Sequence, residues 1–424
     1  MQPTDDKRKP NMYDLAIIGS GAAGIASARH ALKYGLKTIL FDRNRADFGG
    51  TCLNRGCIPT KFFLNSSKLG KTWQESFSKK NDIIEKIKKD SFNYLEKAGV
   101  KICFADISFI DEHTLMAGKE KIEAKNIIIA SGSKPKALLR HPKCIFAEEL
   151  FSISNLDDNF LIVGAGYIGI EFSSLLNRLK KKVTLIEKQE NILPVFDSAI
   201  VGRLKIILEK YGIKIETSAD LKNYDLESYD RVILAVGRTP DTGGLDIEKT
   251  GLFFDKGGWI KTDNKMQTNI ENIYACGDVT GGRLLAYVAE AEAQVCIENI
   301  MGRKESMNYR GIADCVFSIP QIARVGIQET EAKEKNLKYK ILRTNFLKFS
   351  SSYVYDDQDG FMQVLVGEKD TIMGASIISN YAAELINIFS YAICNNLDIN
   401  SFRKCFFIHP TISEIIPAHL RAAA

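Results

Sequence analysis

Short apolar runs recur along the chain, and several end on glycine-rich turns. Tyr13 to Ile18 is a run of β-formers that predicts a buried strand. Gly19-Ser20-Gly21-Ala22-Ala23-Gly24 follows, then a helix-like stretch from Ile25 to Tyr34. Lys37 to Asp42 reads as a second strand that ends on an acid. The same order returns later in the chain. Phe160 to Val163 predicts a strand, Gly164-Ala165-Gly166-Tyr167-Ile168-Gly169 a turn, Ile170 to Leu179 a helix, and Val183 to Ile186 a strand before Glu187. Further strands are predicted at Lys101 to Phe104, Lys125 to Ala130, from Val232, and from Asn272. Residues 62–98 read as helical, amphipathic from Asp82 to Lys97, and Leu284 to Ile300 is an alanine-rich helix. From about Gly311 the period shortens. Ala313 to Phe317, Lys338 to Thr344, Gly360 to Val366 and Thr371 to Ile378 read as antiparallel strands, and Ala382 to Asn396 as an amphipathic helix.

The two glycine turns form a repeat. The offset from Gly19 to Gly164 is 145 residues, as is the offset from Asp42 to Glu187, and each third glycine lies 18 residues before its acid. Strand, tight turn, helix, strand and acid together make a dinucleotide-binding unit. The glycines let the backbone approach a pyrophosphate, and the helix N-terminus stabilises its charge. Two sites are therefore expected, one at Gly19, Gly21, Gly24 and Asp42, the other at Gly164, Gly166, Gly169 and Glu187. Glu187 would hydrogen-bond a free ribose 2′-hydroxyl and repel a 2′-phosphate, which favours NAD(H) over NADP(H). Lys188 beside it pulls the other way.

At 424 residues, 45% hydrophobic and 26% charged, the chain can bury several cores and should hold two to four domains. The net charge of +5 comes from scattered lysines such as those between Lys79 and Lys89, a solvated helix face rather than a nucleic-acid surface. No apolar run approaches the ~18 residues of a membrane span. Met1 to Pro10 is polar and lacks the apolar centre of a signal peptide, so a soluble protein of a reducing, cytoplasmic compartment is expected. The closing Ala422-Ala423-Ala424 reads as an appended tail. Nine cysteines in a chain this long do not suggest a secreted disulfide framework. Cys103, Cys144, Cys276, Cys296, Cys315, Cys394 and Cys405 sit mostly among apolar neighbours and read as buried thiols.

The other two cysteines lie in Gly49-Gly50-Thr51-Cys52-Leu53-Asn54-Arg55-Gly56-Cys57-Ile58-Pro59-Thr60-Lys61. In an unbroken helix, positions five apart point roughly 140° apart, while a disulfide needs Cβ atoms about 4 Å apart. The backbone must bend for the thiols to meet, and Gly56 can bend cheaply. Pro59 suits the first turn of a following helix. Cys57 would then lie at a helix N-terminus, which favours thiolate over thiol. On spacing alone, two unrelated loop cysteines fit as well as a redox pair. A metal site would want tighter pairs and more ligands, and none is expected.

As a block, those thirteen residues resemble the redox-active motif of the flavin-dependent pyridine nucleotide–disulfide oxidoreductases, most closely that of dihydrolipoamide dehydrogenases. The resemblance extends over nearly the whole chain. It implies an α/β protein with two Rossmann-like dinucleotide-binding domains and a C-terminal α+β dimerisation domain. The expected division is 1–146 for FAD and the redox cysteines, 147–258 for NAD, 259–310 to complete the FAD site, and 311–424 for the interface. It places FAD at the first fingerprint, with Gly50, Thr51, Gly132 and Asp278, and NAD at the second, with Gly237. Lys61 and Glu171 would stand beside the flavin and nicotinamide. His409 and Glu414, in His409-Pro410-Thr411-Ile412-Ser413-Glu414, match the family's acid–base dyad, which reaches the active site of the other subunit. A homodimer with shared active sites follows.

The implied reaction passes electrons from a dithiol, a small molecule or the lipoyl domain of a 2-oxo acid dehydrogenase complex, through Cys52 and Cys57 to FAD and NAD⁺. His409 would take the substrate's proton, Cys52 would be the interchange thiol, and Cys57 would face the flavin. Tyr287 and Gln321 depart from the dihydrolipoamide dehydrogenase pattern and lean towards mercuric reductase, whose C-terminal cysteine pair this chain lacks. Glutathione reductase would want basic residues in place of Glu187. A nucleotide-binding partner protein with incidental turnover is a further reading, kept open by segments near 70–95 and 215–230 that are short for the family.

Overall fold

The computed structural model describes residues 12–422. The polar start, Met1 to Pro10, and the last two alanines of the tail lie outside the described residues. The chain forms two units. One runs through Phe62 and takes in Gln74–Lys136 and Gly237–Met307; the other comprises Phe63–Trp73, Ala137–Val236 and the chain from Asn308.

The first unit is built on a seven-stranded sheet. Its parallel part runs in the order Lys101–Phe104, Thr38–Asp42, Tyr13–Ile18, Glu120–Ile129 and Ile273–Ala275. Leu15, Ala16 and Ile17 are fully buried, as a strand covered on both faces requires. Helix α1, Ala22–Leu32, packs through Ala23, Ala28 and Ala31 against Ala289, Ala293 and Cys296 of the helix Ala286–Ile300. Small residues on both faces let these helices approach closely. The strand expected at Lys125 to Ala130 begins earlier, at Glu120. Its polar first half pairs antiparallel with Thr114–Ala117, which pairs in turn with Ile107–Phe109. Neither of these two short strands was expected, since the polar Ser108 and Thr114 interrupt their apolar positions.

The second unit holds two five-stranded sheets. The first is parallel throughout, in the order Lys214–Glu216, Lys182–Ile186, Asn159–Val163, Arg231–Leu234 and Cys144–Phe146. The second is antiparallel, in the order Ala313–Val316, Gln321–Gly326, Ile372–Ser379, Phe361–Val366 and Lys340–Asn345. The helix Ala382–Cys394 buries Leu385, Ile386 and Phe389 in the core of this sheet. Four of the five strands were expected. The fifth, Gln321–Gly326, hides its apolar positions Ile322, Ala323 and Val325 behind a leading proline and the polar Gln321 and Arg324.

The helical stretch 62–98 is two helices, the end of Cys57–Lys68 and Trp73–Lys97, parted at Gly70 with φ 75°. Across that break Trp73 stacks on Phe63 with ring centroids 3.8 Å apart, and its Nε1 donates to the Ile153 carbonyl at 2.8 Å. The reading of seven buried thiols needs correction. Cys276 and Cys296 are buried, Cys103, Cys144 and Cys315 are half-buried, and Cys394 and Cys405 are exposed. Cys394 ends a helix, and Cys405 lies in the irregular chain before His409. Among the described residues no helix is long and apolar enough to cross a membrane.

Candidate functional site

The redox turn is two helices meeting at a glycine. Helix α2 spans Gly50–Arg55 and helix α3 spans Cys57–Lys68, with Gly56 between them at φ −122°, ψ −114°. A Cβ on Gly56 would stand 2.9 Å from the Thr51 oxygen and 3.2 Å from the Cys52 Cα, so the two helical ends meet only over glycine. The Gly56 carbonyl accepts from the Thr60 backbone N–H at 3.1 Å and the Thr60 hydroxyl at 2.6 Å. Cys57 is the first residue of α3 and Pro59 the third, inside the turn whose N–H groups have no helical partner. Lys61 lies one turn further along.

Of the two cysteines, Cys52 is half-buried and Cys57 exposed. They hydrogen-bond to each other, which with burial pushes the Cys52 thiol well above the ordinary range; the positive charge of Lys61 acts in the opposite direction. Asn54 fixes the approach to the pair. Its Nδ2 lies 3.2 Å from the Asp47 oxygen, 3.1 Å from that of Phe48 and 2.9 Å from that of Gly50. Arg55 pairs with Asp47 at 2.9 Å. Asn54 was not among the expected site residues; only its place between the cysteines marks it in sequence.

The redox turn rests on the first fingerprint. A Cβ on Gly50 would fall 2.6 Å from the Gly21 Cα. Ser20 links the two: its backbone N–H donates to Asp42 Oδ2 at 2.9 Å, its hydroxyl also donates to that oxygen, and its Oγ accepts the Gly49 N–H at 3.2 Å. The second fingerprint repeats this carboxylate geometry. Glu187 Oε2 accepts the Ala165 N–H at 2.7 Å, and Ala165 stands where Ser20 stands in the first unit. In both units a Cβ on the third glycine would lie 1.8 Å from the oxygen of the first, Gly24 over Gly19 and Gly169 over Gly164. Only glycine permits the helix to cross its strand so closely.

The space in front of each helix is open. A Cβ on Gly166 would meet nothing within 4 Å, and one on Gly21 nothing nearer than the Gly50 Cα at 3.9 Å. Two helices of eleven and twelve residues, Ala22–Leu32 and Tyr167–Arg178, begin at those spaces, and the first N–H groups of a helix have no carbonyl partner within it. The residues present thus fit two dinucleotides. Gly132 and Gly237 follow the strands Glu120–Ile129 and Arg231–Leu234 and directly precede two short antiparallel segments, Ser133–Pro135 and Arg238–Pro240. Asp278 sits in a single turn, Gly277–Thr280, after the strand Ile273–Ala275, and the Gly277 N–H donates to the buried Glu292 at 2.7 Å.

In the second unit Glu171 is buried and accepts the Phe317 N–H at 3.0 Å. The short segment after Glu216 forms two single turns, Leu221–Asn223 and Leu226–Ser228. They border a cavity of about 490 Å³ lined by Glu216, Ser218, Tyr224 and Tyr229. His409 Nδ1 lies 2.8 Å from Glu414 Oε2. A carboxylate only accepts, so the Nδ1 hydrogen faces Glu414 and Nε2 is left as the basic nitrogen. The ring is exposed, while Glu414 is largely covered. Among the described residues no three or more His, Cys, Asp or Glu side chains are placed to hold a metal ion.

Comparison with known proteins agrees with this architecture. The pyridine nucleotide-disulphide oxidoreductase family matches residues 13–293, and the dimerisation domain of that family matches residues 312–419. The mitochondrial dihydrolipoyl dehydrogenase of Schizosaccharomyces pombe is 32% identical over 459 residues, covering 97% of this chain and 90% of that one. Dihydrolipoyl dehydrogenase of Chlamydia trachomatis is 30% identical over 444 residues, 95% of each chain. Among solved structures, the Cu(II) complex of the HOCl-induced flavoprotein disulfide reductase RclA from Escherichia coli superposes with a TM-score of 0.92 at 26% identity, over 98% of this chain and 100% of that one.

Proposed function

The chain belongs to the pyridine nucleotide-disulphide oxidoreductase family, and on that premise we propose that it is a dihydrolipoyl dehydrogenase acting as a homodimer. The observation that carries the proposal is the thiol pair itself, with Cys52 and Cys57 hydrogen-bonded across the Gly56 break beside a dinucleotide fold. Identity of about 30% along nearly the full chain to dihydrolipoyl dehydrogenases supports the choice of substrate. On this reading residues 1–146 and 259–310 hold FAD, residues 147–258 hold NAD, and residues 311–424 make the interface.

The oxidised pair is the starting state. His409, with Glu414 holding its Nδ1 hydrogen, takes a proton from the dithiol at Nε2. The substrate thiolate attacks Cys52 Sγ, the Cys52–Cys57 bond breaks, and Cys57 leaves as a thiolate stabilised at the α3 N-terminus. The second substrate sulfur then attacks the mixed disulfide, closing the substrate's own disulfide and releasing Cys52 as a thiol. Bound FAD would take the electron pair from the reduced cysteines and pass it to NAD⁺. Gly19, Gly21, Gly24, Asp42, Gly50, Thr51, Gly132 and Asp278 would hold FAD, with Lys61 at its reactive end. Gly164, Gly166, Gly169, Glu187 and Gly237 would hold NAD.

The deciding experiment is NAD⁺ reduction by the purified protein with dihydrolipoamide as donor. Rapid turnover supports the proposal. Absence of turnover in protein that binds FAD and is reduced by NADH would sink it. A second reading then gains weight, a reductase that runs the cysteine pair in reverse towards another disulfide or a soft metal ion. The likeness to RclA, solved with Cu(II), favours it, as do Tyr287 and Gln321.

A further inference from the structure

Two of the strand-ending turns meet on a third part of the chain. After Gly132 the segment Ser133–Pro135 pairs antiparallel with Arg238–Pro240, which follows Gly237. Backbone bonds lock the pairing at both ends, Asp241 N–H to the Gly132 oxygen and Lys136 N–H to the Gly237 oxygen, each at 3.0 Å. Asp241 is also held by Arg43 at 2.9 Å, the residue after the fingerprint acid Asp42. Within this frame Arg238 Nε donates to Ser133 Oγ at 2.6 Å, and a terminal guanidinium nitrogen donates to the Ser133 carbonyl at 2.6 Å. Ser133 Oγ in turn lies 2.6 Å from Asp278 Oδ2, and Arg238 Nε stands 3.9 Å from that oxygen.

The directions of these bonds are forced. A guanidinium only donates and a carboxylate only accepts, so the Ser133 hydroxyl accepts from Arg238 and directs its single hydrogen to Asp278. That turns the carboxylate by one oxygen. Oδ2 is occupied, and among the described residues Oδ1 takes no donor and is left for a ligand hydroxyl.

We infer that Arg238 is a positioning residue that sets the orientation of Asp278 through Ser133, and so sets how Asp278 meets a polyhydroxy ligand chain. The inference rests on the reading of Asp278 as a flavin-binding residue. It gives the two glycine turns a shared role, since the segments that close the two repeats together aim one carboxylate. Lys at position 238 could not do the same, because the contact needs two donors in a fixed plane.

The test is FAD titration of FAD-stripped protein, followed by flavin fluorescence, with the flavin midpoint potential of the reloaded proteins as second readout. The proteins are wild type, D278N, R238Q, S133A and the double variant D278N/R238Q. R238Q and S133A should each weaken FAD binding by roughly tenfold, the size of one charge-assisted hydrogen bond, and shift the midpoint potential in the same direction as D278N. The double variant should bind no more weakly than D278N, because on this inference Arg238 bears on the ligand through that carboxylate. Wild-type affinity and potential in R238Q and S133A, beside a changed D278N, would overturn the inference and leave the flavin reading intact. Additive losses in the double variant would overturn it too. An unchanged D278N would remove the flavin reading of Asp278 and the inference with it. If R238Q does not fold, S133A, which removes one hydroxyl, decides.

Discussion

His409 Nδ1 faces Glu414 Oε2 at 2.8 Å, and that contact leaves Nε2 as the ring nitrogen able to accept a proton. The turn is held from outside the dyad as well, with the Tyr355 hydroxyl donating to the Pro410 carbonyl at 3.1 Å and the Thr411 hydroxyl to the Ile408 carbonyl at 2.7 Å. His409→Gln should lower dithiol oxidation by about 10²–10⁴-fold, the usual size of general-base catalysis. Glu414→Gln keeps the base but weakens its orientation and should cost less. Both variants should let NADH reduce bound FAD at the wild-type rate. Slowing of that half-reaction as well would mean general damage, and the dyad assignment would fail.

The bend at Gly56 makes a second prediction. A methyl group there would press on the Thr51 oxygen at 2.9 Å and the Cys52 Cα at 3.2 Å, both backbone atoms that cannot swing aside. Gly56→Ala should destabilise by about 1–3 kcal/mol, as overpacking does, and splay α2 from α3. Denaturant unfolding gives the first quantity, and the rate of disulfide formation between the two cysteines reports the second. Wild-type values for both would show that the break does not depend on glycine.

The thiols themselves differ. Cys52 is pushed upward first by its hydrogen bond with Cys57 and then by burial. Removing the partner in Cys57→Ala should therefore lower the pH at which Cys52 is alkylated, leave FAD bound and abolish dithiol turnover. Iodoacetamide labelling against pH, read by mass spectrometry, tests the first part. An unmoved Cys52 profile would mean that the two thiols do not interact in solution.

Much of this arrangement is legible in the sequence, because the repeats write it in both period and spacing. The runs Tyr13–Ile18 and Lys101–Phe104 coincide with strands end to end, and in the first of them Leu15 to Ile18 are apolar and buried, as a central strand covered on both faces requires. The fingerprints carry glycines whose missing side chains the packing of helix on strand demands. What escapes the sequence is set by contacts between distant segments. Gln321–Gly326 is a strand because Ile372–Ser379 and Ala313–Val316 pair with it on either side, not because its own pattern alternates. Ser20 and Asn54 gain roles only when Gly49 folds back over the first fingerprint. Cys394 and Cys405 have apolar residues near them in sequence and are exposed all the same.

On the proposed reading Glu187 would carry the nucleotide preference. Its two oxygens are held by the Ala165 and Gln189 N–H groups at 2.7 and 2.9 Å, so the carboxylate stands fixed at the mouth of the second fingerprint. A 2′-phosphate would meet that charge directly. Glu187→Ala should lower kcat/KM for NADH and raise it for NADPH, narrowing their ratio by roughly tenfold. Steady-state reduction of lipoamide with each nucleotide checks this. A ratio that does not move would place the discrimination elsewhere in the site.

His419 gives a pH dependence whose sign follows from its surroundings. It lies on the last helix, Ile415–Ala422, hydrogen-bonds the Leu342 backbone, and has its Nε2 buried without a hydrogen-bond partner among the described residues. Burial first, and then the positive charge of Lys348, hold its pKa below the ordinary histidine value, although the Leu342 bond acts the other way. A histidine with a lowered folded pKa is neutral in the folded protein and takes up its proton more readily once unfolded. Its contribution to stability is therefore complete above about pH 6.5 and is lost as the pH falls towards the folded value. Other buried groups titrate over the same range, so the useful quantity is a difference between two proteins. His419→Gln keeps a donor for Leu342 and cannot be charged. Between pH 7 and pH 5 the wild-type melting temperature should fall more steeply than that of the variant, by a few degrees. Parallel melting curves for the two proteins would mean that the ring is solvated and does not anchor the C-terminal helix in its neutral form.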